Sequence, residues 1–157
     1  MIGAFPPIVI LLRSTRLLAI DRRAVAPDAE TLQLLRGIPF FSPLPPPALE
    51  RVIANLIPLQ AVAGSAVIRE GDAGDRSYVI VEGWAEVTRA GAPVSEVGPG
   101  GYVGEIALLR DVPRTASVTA KTDLRMLALD REPFLLAVTG HPPSHLAART
   151  IAEARMR

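Results

Sequence analysis

Cysteine is absent from the 157-residue chain, which excludes a disulfide framework, a thiolate zinc site and cysteine catalysis, and suits a reducing cytoplasm. Neither sign of charge is in excess. Seventeen Lys and Arg against sixteen Asp and Glu leave a formal +1, so no long-range field draws the chain to nucleic acid, and any bound anion must be held locally. Histidine is scarce. His141 and His145 lie four apart with no evident third ligand, so no metal is expected. A metal-dependent barrel enzyme of the cupin kind would need a histidine cluster inside the strands, and no strand-like run contains one. The sequence shows no internal repeat, no low-complexity tract, no helix-turn-helix, no kinase signature and no channel pore. Its apolar stretch from Ile2 to Leu12, solid over Ile8 to Leu12, is interrupted by Pro6 and Pro7 and is too short to span a bilayer.

The length fits one domain with some tail. Residues 1–26 stand apart as an apolar and basic leader, with Arg13, Arg16, Arg22 and Arg23 following the apolar run. Two readings stay open for it: the cut end of a membrane segment, given that positive charge gathers just cytoplasmic of such segments, or an amphipathic leader packed on the domain. Residues 27–157 form the domain proper. Over 27–58 a helical lead-in is expected. Asp28 can cap a short helix carrying Leu32 and Leu35 and closed by Gly37 and Pro39, and a Pro-rich turn then feeds Leu49, Val52, Ile53 and Leu56 at helical spacing.

From Leu59 the pattern changes to short β-prone runs: 66–69, 78–81, 85–89, 94–97, 115–120 and 124–129. Gly71 to Asp75, Gly83, Gly91 and Gly98 to Gly101 punctuate them at the spacing of an antiparallel roll. After this β-roll (59–130) come two helices over 131–157. The first is capped by Asp130, carries Phe134, Leu135 and Val138 and stops at Gly140. The second follows the Pro142-Pro143 hinge from near Ser144, with Leu146, Ala147, Thr150, Ile151 and Ala154 on one stripe. The fold class expected is α+β, mainly β: an antiparallel, jelly-roll-like β-roll with flanking helices.

Residues 98–116, GPGGYVGEIALLRDVPRTA, carry the chemistry. Glu105 to Arg110 reads as one helical turn where a hairpin would suffice. Gly104 lets the backbone approach a ligand closely, and the turn aims unpaired N–H groups of Ile106 and Ala107 at whatever precedes it. Arg114, fixed by Pro113, adds a planar fork that can pair two phosphate oxygens. Glu105 repels phosphate but accepts from a neutral hydroxyl, so the pair suits a phosphorylated sugar better than bare phosphate. A plain ion pair between Arg114 and Glu105, closing a loop, is the blander alternative. Trp84 reads as packing at a strand edge, or as an aromatic that stacks a base.

The segment GEIALLRDVPRTASV resembles the phosphate-binding cassette of cyclic-nucleotide-binding domains, and the resemblance extends from about Leu35 to the C-terminus, with REGDAGD before a strand and the Gly83 turn. It departs only in Val103, where an aromatic is commoner, and Trp84, where a smaller or polar residue is usual. The resemblance implies that Gly104 and Glu105 meet the ribose 2′-hydroxyl. The amide of Ala107, beside Ile106, and the side chain of Arg114 would meet the cyclic phosphate. Thr115 would lie beside phosphate and base, with Ala116 closing the cassette. Ile68, Val87 and Val94 would line the base pocket, and Leu146, Thr150 and Ile151 are candidates for a helical lid over the base. It implies no catalysis and no cofactor, only a ligand: cAMP first, with cGMP close behind because Thr115 can meet the guanine amino group. The partner implied is an effector in the same or another chain, such as a bacterial membrane transporter or channel, at the cytoplasmic face of the membrane. Assembly into an oligomer stays open. A ligand-free structural or protein-interaction β-roll that keeps the cassette is the competing reading.

Overall fold

The computed structural model describes residues 29–156 and the backbone of two short strands before them, β1 (Ile8–Val9) and β2 (Leu17–Ala19). Two helices lead in, α1 (Ala29–Arg36) and α2 (Pro46–Asn55). Eight strands follow: β3 (Ile57–Ala61), β4 (Ala66–Ile68), β5 (Arg76–Glu82), β6 (Ala85–Arg89), β7 (Ala92–Val97), β8 (Tyr102–Val103), β9 (Ser117–Ala120) and β10 (Leu124–Asp130). The helix α3 (Glu105–Arg110) interrupts them between β8 and β9, and α4 (Arg131–Thr139) and α5 (Pro142–Arg155) close the chain. The strands pair antiparallel into two sheets, in the orders β1-β2-β3-β10-β5-β8 and β4-β9-β6-β7. This is the roll expected from the glycine-punctuated runs.

Two cores share one sheet. Because successive side chains of a strand point to opposite faces, β10 sends Leu124, Met126 and Ala128 into the roll, against Ile80, Val118 and Val67, and Leu127 and Leu129 outward onto the helices. The helical core holds Leu35, Phe40, Phe41, Leu49, Val52, Phe134 and Ala148. Phe40 meets Phe41, Tyr102 and Phe134 edge-on at ring centroid distances of 4.8, 5.0 and 5.7 Å, the arrangement the ring quadrupoles favour.

Several boundaries differ from expectation. The roll begins at Ile57 rather than Leu59, because Ile57 to Ala61 all pair with β10. Tyr102–Val103 forms a strand of its own against Tyr78 and Val79, too short to leave an alternation in the sequence. The strand expected over 115–120 starts at Ser117, since Arg114 to Ala116 are drawn into the cassette loop. Leu32 is exposed, so α1 buries Leu35 alone of that pair. Asp130 stands at the start of α4 but does not cap it; its carboxylate is held instead by Arg76 at 3.1 Å. The last helix begins at Pro142, the hinge prolines forming its first turn, where a missing N–H costs nothing.

Of the leader, Leu17–Ala19 is extended and pairs with Leu59–Ala61 as a strand at the open edge of the sheet. The remaining leader residues, including its arginines, and the Asp28 cap lie outside the described residues. Among the described residues no helix is long and apolar enough to cross a membrane.

The β5-β6 turn depends on Gly83. Its φ is +93°, and a Cβ there would sit 2.1 Å from the Asp123 carbonyl oxygen. Left-handed backbone strain of about 1–2 kcal/mol adds to a clash with backbone that cannot rotate away. Gly83→Ala should therefore cost about 3 kcal/mol, a fall in Tm of about 6–12 °C by thermal unfolding; an unchanged Tm would show that the turn can rearrange.

Candidate functional site

The turn between β4 and β5 and the loop after α3 meet backbone to backbone: Gly71 donates to the Arg114 carbonyl at 2.8 Å, and Arg114 donates to that of Asp72 at 2.7 Å. This pair of bonds sets where the Arg114 side chain starts. The guanidinium runs inward and is 6% exposed. Its Nη1 donates to the Gly104 carbonyl at 2.9 Å, and its Nη2 to the Arg76 carbonyl at 2.7 Å and to Asp75 Oδ1 at 3.3 Å. Three of its five N–H donors are thus spent on the protein, leaving two. Gly104, at φ +92°, makes the approach feasible, since a Cβ there would lie 2.9 Å from Arg114 Nη1.

Glu105 opens α3 and is 1% exposed, with no plain ion pair to Arg114. Its Oε1 accepts from Arg155 Nη1 at 2.6 Å, while its Oε2 is buried without a hydrogen-bond partner. Burial pushes its carboxyl above the ordinary range, and the Arg155 charge beside it pulls the other way. Arg155 comes from the end of α5. It also donates to the Tyr102 carbonyl at 3.1 Å and lies over the Tyr102 ring, 4.4 Å from its centroid.

These groups surround a cavity of about 250 Å³. All ten residues singled out in the sequence line it: Gly104, Glu105, Ile106, Ala107, Arg114, Thr115 and Ala116 from the cassette, and Ile68, Val87 and Val94 from the strands. Val94 stands at the rim, 53% exposed. The lid candidates do not reach it. Leu146 and Thr150 are exposed, and Ile151 packs on the helical core. What α5 brings to the cavity is Ala154 and Arg155, the latter one turn beyond Ala152 on the buried stripe of Ala148 and Ala152. Arg89, Ser95, Val97, Val103 and Val118 complete the lining and were not singled out. Alternation along β6 carries the signal for Arg89, two residues beyond Val87 on the same face. Trp84 packs over Gly98, where a Cβ would meet its ring at 2.6 Å, and takes no part in the lining.

Residues 58–139 match the model of a protein family described as the cyclic nucleotide-binding domain. The chain belongs to that family. It is a regulatory domain whose ligand class is a cyclic nucleotide; among the described residues no group of His, Asp and Glu is placed to hold a metal ion. It is 39% identical over 102 residues to a cAMP-dependent protein kinase regulatory subunit of Aspergillus niger, the match covering 64% of this chain and 25% of the relative. It is 36% identical over 110 residues to a cyclic nucleotide-gated potassium channel of Rhizobium etli, covering 70% and 31%. Among solved structures, the regulatory subunit of a cAMP-independent protein kinase A from Trypanosoma brucei superposes with a TM-score of 0.71 at 27% identity, over 84% of this chain and 46% of that one. The chain therefore spans about a quarter to a third of the length of these two curated relatives. These three are two kinase regulatory subunits and a channel, and none is a transporter.

The buried carboxylate has a consequence for stability. With its native pKa above the unfolded one, Glu105 binds its proton more tightly in the folded state, so its contribution falls as pH rises from the ordinary carboxylate value through the raised one. Across that interval Glu105→Gln should gain stability relative to wild type in urea unfolding at stepped pH. A constant difference would mean that Arg155 fully compensates the desolvation.

Proposed function

We propose that this cavity is the cyclic-nucleotide site, and that the domain is a sensor rather than a catalyst. The cyclic phosphate sits against the two remaining Arg114 donors and the amides of Ile106 and Ala107, which open a helix and have no carbonyl a turn earlier to bond. The ribose hydroxyl donates to Glu105, with the Gly104 backbone close by. The base lies along Ile68, Val87 and Val94, with Thr115 and Ala116 beside it. The observation that carries this reading is the buried, partnerless Oε2 of Glu105 in the same cavity as an inward-facing arginine. A buried acceptor left unmade costs about 1–3 kcal/mol, and a sugar hydroxyl supplies its missing donor. The name of the kinase-subunit relative supports cAMP as first ligand, and cGMP comes second because the Thr115 hydroxyl can meet the guanine amino group. A cAMP-independent relative of the same fold argues for resting the assignment on these contacts rather than on shape.

Arg155 gives binding a route outward. It holds one oxygen of Glu105 while lying on Tyr102, whose ring packs on the helical core. A ribose hydroxyl arriving at Glu105 alters the hold of Arg155, and with it the seating of α5. We place the effector in the same or another chain, as in the kinase and channel relatives, and the domain in the cytoplasm, which the absence of cysteine suits.

Two substitutions test the site by titration calorimetry. Arg114→Ala should weaken cAMP by about 2–5 kcal/mol, roughly 30- to 4000-fold, since it strands a desolvated phosphate; unchanged affinity rejects the role. Glu105→Ala should weaken cAMP more than 2′-deoxy-cAMP. Equal losses would reject the ribose contact, and a folded wild type that binds neither cAMP nor cGMP would favour a ligand-free structural roll.

A further inference from the structure

One more polar atom of the cavity lacks a partner. The Nε of Arg89, at the end of β6, is buried with no hydrogen-bond acceptor, in a side chain that lines the cavity. The arm is not loose: Arg89 Nη2 donates to the backbone carbonyl of Arg155 at 2.9 Å, so the guanidinium is anchored from the α5 side. The strand residues that share this wall of the lining are Val87, Val94, Val97 and Ser95, and none of them, the Ser95 hydroxyl included, accepts from Nε. The phosphate and ribose groups lie at the other polar cluster, around Arg114 and Glu105. What remains for the strand wall is the base.

A buried N–H in an apolar wall needs an acceptor from the ligand. Guanine and adenine both present N7, but beside it guanine has the O6 acceptor and adenine the N6 amino donor. An arginine edge pairs O6 and N7 together, whereas against adenine one of its donors faces another donor. We infer that Arg89 is a specificity-determining residue that reads the O6/N7 edge of guanine, so that this pocket takes cGMP alongside cAMP. The inference rests on the cavity being the nucleotide site and adds to it the group that sorts the bases.

The test is calorimetric titration of wild type and Arg89→Ala with cGMP, cIMP and cAMP. cIMP keeps O6 and N7 but lacks the 2-amino group, which removes any contribution of Thr115. The alanine variant should lose roughly 5- to 150-fold for cGMP and cIMP, the range of a good bidentate contact, and less than about threefold for cAMP. Equal loss for all three would overturn the inference and assign Arg89 to seating α5; no loss for any would overturn it too. Should the variant not fold, 7-deaza-cGMP on the wild type serves in its place. It should bind at least fivefold more weakly than cGMP, and equal affinity overturns the proposal. If the wild type binds no cyclic nucleotide, the site assignment itself falls. If it binds both with ratios indifferent to Arg89 and to N7, the site stands and only the base-reading role is lost.

Discussion

A guanidinium that is 6% exposed cannot be there without company, and the arrangement around Arg114 shows what such company requires of a fold. Its backbone is clamped to the turn at 71–72, its side chain to carbonyls at 76 and 104 and to a carboxylate at 75. Those partners lie on two separate stretches of chain, before β5 and at the start of α3, and only the closed roll brings them together. Desolvating an unpaired charge costs several kcal/mol, so the carbonyl cradle must exist before the arginine can be buried. The order of dependence is clear. The antiparallel pairing of β5 with β8 and β10 sets the carbonyls, the carbonyls admit the arginine, and the arginine supplies the positive end of the cavity.

The helical side is tied to that cavity through one aromatic. Tyr102 belongs to the two-residue strand that enters the cassette, packs its ring on Phe40, and carries Arg155 on its face. Arg155 in turn holds the carboxylate that opens α3 and gives its carbonyl to Arg89. The end of α5 is thereby fastened to the cassette on one side and to the strand wall on the other, by polar contacts that an arriving ligand would compete with. Apolar packing of Ala148 and Ala152 carries the rest of the helix. Such a division places the adjustable contacts at the tip and the permanent ones along the body.

The roll and its cassette could be read from the residues because their signals are local. A glycine that must take positive φ, as at 83 or 104, and a proline that fixes an arginine are visible within a few positions. Tyr102–Val103 could not be seen as a strand, because two residues give no period. Arg155 lies off the stripe of Leu146, Ala147, Thr150, Ile151 and Ala154. It follows Ala148 and Ala152 by one turn, and its partial burial depends on Glu105, fifty residues away. Arg89 likewise sits on the inward face of β6 by simple alternation, but an arginine at a strand end is usually solvated, and nothing local shows that the helix tip covers it. The strand in the leader has no local signal for a related reason: Leu17–Ala19 pairs because β3 offers an open edge, and that edge exists only after folding.

Taken together, the polar atoms of the cavity fall into two sets. Arg114 and Arg155 have their charges met by the protein, which lets the fold stand without a ligand. Glu105 Oε2 and Arg89 Nε do not, one an acceptor without a donor and the other a donor without an acceptor. Neither atom meets the other: each side chain is held through a different atom, Glu105 by its Oε1 on Arg155 Nη1 and Arg89 by its Nη2 on the Arg155 carbonyl. Water could cap either singly. A single occupant that ends both deficits must offer a hydroxyl to Glu105, a hydrogen-bond acceptor on an otherwise apolar surface to Arg89, and an anion to Arg114. A cyclic nucleotide carries all three, its ribose hydroxyl lying between phosphate and base, and the cyclised phosphate keeps its span short enough for a cavity of about 250 Å³.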